Sequence, residues 1–217
     1  MRRGSGFVLK VSLFVISLIM AAIASAGQSV APDDDRAGSS LDWNKILEEN
    51  DSPSPDDWRG HLLKAISYAN TGKMLKANDE FALLSAGDYE KNAALVVREN
   101  SAKLAANPDD ILALNCMAFS YYALGQDEKA IEQFERLVRI DSKNVWIRHY
   151  LAYLYTRVGR LDEGISVLRE ALEIDPKNEY THLLLGLAYQ KKGWTIAALL
   201  EFLKAPNARR EALKLLR

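Results

Sequence analysis

The sequence predicts an all-α solenoid of stacked antiparallel helix pairs, and three observations predict it. Gly125, Gly159 and Gly193 lie 34 residues apart, as do Tyr121, Tyr155 and Tyr189, and a fixed period of this length marks a repeat array. Within the first full period two apolar stripes at helical spacing follow one another: Ile111, Leu114, Met117, Ala118 and Tyr121, then Ala130, Ile131, Phe134, Leu137 and Val138. Small residues recur where the two stripes meet, Ala118 with Ala130, Ala152 with Gly164, and Gly186 with Ala198. They let paired helix axes approach closely.

The chain has 217 residues and 48% hydrophobic content, enough for a sizeable core. Its first residues differ in kind from the rest. Arg2, Arg3 and Lys10 precede an apolar run from Val11 to Ile23, and Ala24-Ser25-Ala26 places small residues where a signal peptidase cuts. Residues 1–26 therefore read as a cleaved export signal, and the protein as periplasmic or secreted. The alternative is an uncleaved anchor, but the run is shorter than the roughly 20 residues a bilayer span needs. Arg2-Arg3 lacks the spacing of a twin-arginine signal. Without this segment the 28 basic side chains fall to 25 against 29 acidic ones, a balance that argues against general nucleic-acid or anionic-membrane binding. No membrane insertion is expected once the signal is removed. Cys116 is the one cysteine, so no intramolecular disulfide forms, and its place beside Met117 in a core stripe suits a small buried hydrophobe.

Residues 27–54 are rich in Asp, Ser, Pro and Gly and read as a flexible linker. One island interrupts it. Trp43, Ile46 and Leu47 fall at i, i+3 and i+4 behind Ser39 or Ser40, which predicts a short amphipathic helix. Its expected place is on the exposed first helix of the array, since solenoids need terminal caps; the alternative is the array's own groove.

Residues 55–108 read as degenerate N-terminal repeats. Ser54 supplies a capping oxygen, Pro55 a first helical position, and Asp56 and Asp57 first-turn carboxylates. Tyr68, Gly72, Ala77 and Phe81 then repeat the spacing of Tyr121, Gly125, Ala130 and Phe134. Gly72 and Gly125 are 53 apart, one period plus 19, so an extra or elongated helix is expected between Asp88 and Ala106, ended by Asn107-Pro108.

Residues 109–205 hold three full units. Gly125 follows the first helix where the chain must turn with positive φ, a conformation that costs any other residue steric energy. Phe134 and Phe202 are expected to fill the space toward the next hairpin. Residues 206–217 place Arg209, Arg210, Lys214 and Arg217 on one side and Ala212, Leu213 and Leu216 on the other, the pattern of a C-terminal capping helix.

These residues resemble the tetratricopeptide repeat, whose unit carries a large then a small residue in its first helix, a tyrosine three further on, and Gly, Ala, Phe and Pro at set later places. Two departures stand out: Ser142 where proline is usual and Gly164 where alanine is usual. The resemblance implies a right-handed superhelix that binds a protein or an extended peptide along the concave face of its first helices. Carried over by position, the groove residues are Asn115, Phe119, Tyr122, Trp146, His149, Tyr153, Arg157, Tyr180, Leu187 and Lys191, with Leu112, Ala123, Thr156, Leu183 and Gln190 beside them. Family members that clamp a peptide carboxylate use lysine, asparagine and arginine at places that here hold Asn115, Phe119, Tyr153, Tyr180 and Leu184, so that clamp is absent. The expected partner is apolar or aromatic, with Arg157 and Lys191 for acidic groups, and the expected role is an adaptor or assembly factor. The alternative is a self-associating module whose aromatic surface is buried in a homo-oligomer.

Catalytic chemistry is not indicated. His61, His149 and His182 have no clustered metal-ligand spacing, and Glu179-x-x-His182 alone is half of a carboxylate-bridged diiron pattern. There is no Gly-rich phosphate loop and no Gly-x-Ser-x-Gly elbow. Neither an enzyme nor a cofactor or metal site is expected.

Overall fold

A computed structural model describes residues 41–54, 56–84 and 88–208. The expected export signal, the linker before Leu41 and the capping helix beyond Ala208 lie outside the described residues. Those described form ten α-helices: α1 Trp43–Glu49, α2 Trp58–Asn70, α3 Met74–Leu84, α4 Tyr89–Ala106, α5 Ile111–Ala123, α6 Asp127–Ile140, α7 Val145–Arg157, α8 Leu161–Ile174, α9 Glu179–Lys191 and α10 Thr195–Leu203. Among the described residues no strand occurs, and no helix is long and apolar enough to cross a membrane. The segment that breaks the register is filled by α4, one helix of 18 residues laid along α5.

Short polar side chains set the helix starts. Asp110, Asn144 and Asn178 cap α5, α7 and α9 by accepting a first-turn backbone N–H. Two expected starts move. The cap of α1 is Asp42, which accepts from the Lys45 N–H, and Ser39 and Ser40 lie outside the described residues. The cap of α2 is Asp57 rather than Ser54: its carboxylate accepts from Gly60 N–H at 2.9 Å. Glycine is what lets the carboxylate fold in so tightly, since a Cβ at Gly60 would stand 2.5 Å from Asp57 Oδ2.

All four hairpin turns have the same geometry. Gly72, Gly125, Gly159 and Gly193 have φ between 68° and 86°, and the residue after each glycine donates its N–H to the carbonyl of the repeated tyrosine, Tyr68, Tyr121, Tyr155 or Tyr189. This closes the last turn of the first helix and reverses the chain. Gly164 sits inside α8, where an added Cβ would lie 3.0 Å from the Ala152 carbonyl oxygen. The departure from alanine accompanies a closer helix approach. Phe134 is fully buried, but Phe202 is only half-buried, its ring lying over Gly186. The two phenylalanines are therefore not equivalent, because among the described residues no complete hairpin follows α10.

The first and last hairpins share an unexpected pair. His61 Nδ1 meets Glu80 Oε2 at 2.7 Å, and His182 Nδ1 meets Glu201 Oε2 at 2.6 Å, each joining a first helix to its second across 19 residues. The recurrence places α2–α3 in the same structural register as the regular units.

What the α2–α3 hairpin packs against differs from the other units. α1 lies on α2, and α2 reaches across to both α5 and α7. A buried amide chain holds it there. Asn70 Nδ2 donates to Asn115 Oδ1 at 3.1 Å, and Asn144 Nδ2 donates to Asn70 Oδ1 at 2.9 Å and to Asp141 Oδ2 at 3.0 Å. All four side chains are at most 3% exposed. Replacing Asn70 with alanine strands a buried acceptor and a buried donor, each costing about 1–3 kcal/mol when left unmade. The expected result is a loss of about 2–3 kcal/mol in urea denaturation, with α2 amides exchanging faster than those of α8. An unchanged midpoint would show the amide chain to be dispensable.

Candidate functional site

The face formed by α5, α7 and α9 carries the ten groove positions, and the structure divides them into two sets. The first set is covered. Asn115 is fully buried beneath Asn70. Phe119 is 4% exposed, stacked on Phe81 of α3 at 5.1 Å and edge-on to Tyr150 at 4.9 Å. Trp146 is 6% exposed and lies so close to the α2–α3 turn that a Cβ on Gly72 would stand 2.3 Å from its ring. His149 is 2% exposed, with Nε2 2.7 Å from Thr181 Oγ1. Burial, and after it the Arg148 guanidinium, push its imidazole down to about 3. The positional reading placed these four on an open groove; the chain's own N-terminal hairpin and neighbouring helices occupy that space instead.

The second set faces outward in varying degree. Tyr122 and Tyr153 are half-buried and meet edge-on at 6.4 Å. Burial raises the Tyr122 hydroxyl far above its ordinary range, so it stays neutral. Arg157 lies 5.2 Å over the Tyr122 ring, and its Nε pairs with Asp127 Oδ2 at 2.9 Å. Burial pushes the Asp127 carboxyl up and Arg157 pulls it back. The arginine is thus engaged internally, where the sequence reading held it available to a partner. Tyr180 is the exception in this set: it is buried, 9% exposed, and packs on Trp146 at 5.6 Å, so it too is core and not the open groove position expected. Leu187 is 37% exposed. Lys191 is exposed, its ammonium donating to the Thr156 carbonyl at 3.1 Å. Trp146, Tyr180 and Leu183 belong to a small apolar cluster with Val145, Ala171, Ala205 and Ala208, separate from the main core.

The residues weighed for chemistry have structural partners. Glu179 accepts from the backbone N–H groups of Asn207 and Ala208 and from Asn207 Nδ2, anchoring the chain after α10. His182 turns to Glu201 and to the Pro176 carbonyl. Among the described residues no three His, Cys, Asp or Glu side chains converge as a metal site would require. Burial raises the Cys116 thiol to about 12, which leaves it unreactive.

Paired helices, repeated glycine turns and a face built from every first helix define a helical-repeat scaffold for protein interaction, a class whose stacked units present an extended binding surface. The TPR repeat family model matches residues 120–159 and 152–193, within the regular units. A search of the curated proteins finds no significant match. Among solved structures the chain is similar to MamA AMB-1, with a TM-score of 0.51 and 19% identity, covering 77% of this chain and 90% of that one. A crystal structure of MamA protein gives a TM-score of 0.51 at 16% identity over 92% of this chain and 96% of that one. A MamA RS-1 ArsTM double mutant gives 0.50 at 16% identity over 95% and 96%. At these identities the likeness is one of fold.

Proposed function

We propose that the protein is an exported adaptor or assembly factor that holds an apolar or aromatic protein segment on the α7–α9 end of its inner face. The observation that carries this reading is the division of that face. The α2–α3 hairpin covers the α5 and early α7 positions, whereas further along α7 and α9 Tyr153 is half-buried, Leu187 is 37% exposed and Lys191 is exposed. An aromatic ring, an aliphatic side chain and a cation on neighbouring first helices suit a helical or extended segment with large apolar anchors and one acidic group. Export is supported by the basic, apolar and small-residue succession of residues 1–26.

Peptide display against the protein tests the site. Selected binders should carry aromatic or aliphatic anchors, and Leu187→Asp combined with Lys191→Glu should weaken them at least about tenfold with the melting temperature unchanged. Binders indifferent to both substitutions would move the site off this face.

A further inference from the structure

The largest exposed apolar feature is one side of α10. Ile196 is 79% exposed, Leu203 60%, Leu199 and Leu200 54% each, and Trp194 at the helix start 45%. At the 100° per residue of an α-helix, the four aliphatic side chains fall within an arc of about 100°, the width of a packed helix stripe. The opposite side of the helix holds Ala198, Glu201 and Phe202 against α9.

The corresponding helices of the preceding units show that this side is not apolar by default. Where α10 has Ile196, Leu200 and Leu203, α6 has Glu128, Glu132 and Glu135, and α8 has Asp162, Ser166 and Arg169. At the places of Ile196 and Leu200 the earlier residues are exposed, whereas at the place of Leu203 they reach the next hairpin, Glu135 accepting from the Tyr155 hydroxyl and Arg169 donating to the Tyr189 hydroxyl; all three places are aliphatic only in the last unit. The fourth position, Leu199, matches Ile131 and Ile165, which are 2% and 3% exposed because a following hairpin covers them.

We infer that this face pairs two copies of the chain, with α10 packed antiparallel against its own two-fold mate. The arrangement of the stripe is self-complementary about a point between Leu199 and Leu200. A two-fold there sets Ile196 against the partner's Leu203 and Leu199 against the partner's Leu200, so every aliphatic side chain meets another. Lys204 falls opposite the partner's Thr195, and no like charges meet along the seam. The four aliphatic side chains expose roughly 450 Å² on each copy, roughly 900 Å² for two, the size of a weak, reversible interface and not of a permanent one. A contiguous apolar patch of this size is comparable to the largest on a typical monomer, and such patches are often functional. The dimer is expected to be reversible and concentration-dependent. It leaves the Tyr153, Leu187 and Lys191 surface out of the interface, so it stands apart from the proposed groove function and fails or holds separately.

Sedimentation equilibrium of the protein over a wide concentration range tests this. The expected result is a monomer–dimer equilibrium that Leu199→Glu with Leu200→Glu weakens at least about tenfold, with helix content by circular dichroism unchanged. The register is tested by a charge pair. Ile196→Lys alone and Leu203→Glu alone should each weaken the dimer, and the two together should recover it, because the two-fold sets each new charge against its opposite. A protein monomeric throughout overturns the inference, whether its own residues 209–217 or a lipid surface covers α10. A dimer indifferent to the α10 substitutions, or singles not rescued by the double, overturns it equally.

Discussion

Phe134→Ala should lower the stability of the protein by about 3–5 kcal/mol, among the largest effects of any single truncation. The ring is 1% exposed and stands at the junction of two units. It meets Phe119 edge-on at 5.2 Å and stacks on Tyr150 at 6.0 Å with the planes 9° apart. Truncation removes the transfer free energy of a phenyl group and leaves a cavity that helices pinned by the turns at Gly125 and Gly159 cannot close. Because each unit is stabilised mainly by its neighbours, the loss should uncouple α5–α6 from α7–α8. Hydrogen exchange should then accelerate across that junction before it does at α9 and α10. Urea denaturation reads the total, and a loss below about 1 kcal/mol would mean the ring is not the keystone its burial indicates.

Acidification should destabilise the fold well before its carboxylates are titrated. The buried His149 imidazole is held at about 3, while in an unfolded chain it titrates near the ordinary 6.5. Below the unfolded value the unfolded state takes up a proton that the fold refuses. Stability is therefore complete near neutrality and falls as pH drops from 6.5 toward 3, by about 1.4 kcal/mol per unit, or about 3 kcal/mol by pH 4.5. His149→Gln removes the titration. Urea denaturation from pH 7 to pH 4.5 should show the difference between wild type and variant narrowing or reversing as pH falls. Parallel pH profiles would show that the histidine is protonated in the folded state.

The regular part of the fold was legible because its determinants are local and repeated. Gly125, Gly159 and Gly193 mark turns that only positive φ completes, and the structure gives each such a φ. Ala118 and Ala130 meet as their spacing requires, both fully buried. The 19 residues before Asn107 were legible as an interruption and a helix, but their consequence was not. By taking the place beside α5, α4 displaces the α2–α3 hairpin onto the inner face, and no local pattern around Asn70 or Gly72 announces that Asn115 and Trp146 will receive them. The His61–Glu80 pair was equally hidden, since residues 19 apart meet only when two helices have packed. The apolar positions of α10 stand in the sequence, yet their meaning depends on comparison with the polar residues at the same places of α6 and α8.

The sequence by itself determined the period, the turns and the pairing of helices, because these follow from spacing and from the conformational limits of single residues. Only the tertiary structure decided which aromatic side chains are core and which are surface. Burial is a property of what lies across a face. The occupant of the α5–α7 face comes from the α2–α3 hairpin, held by the amide of Asn70, which lies 45 residues from Asn115 in the chain and joins it to Asn144.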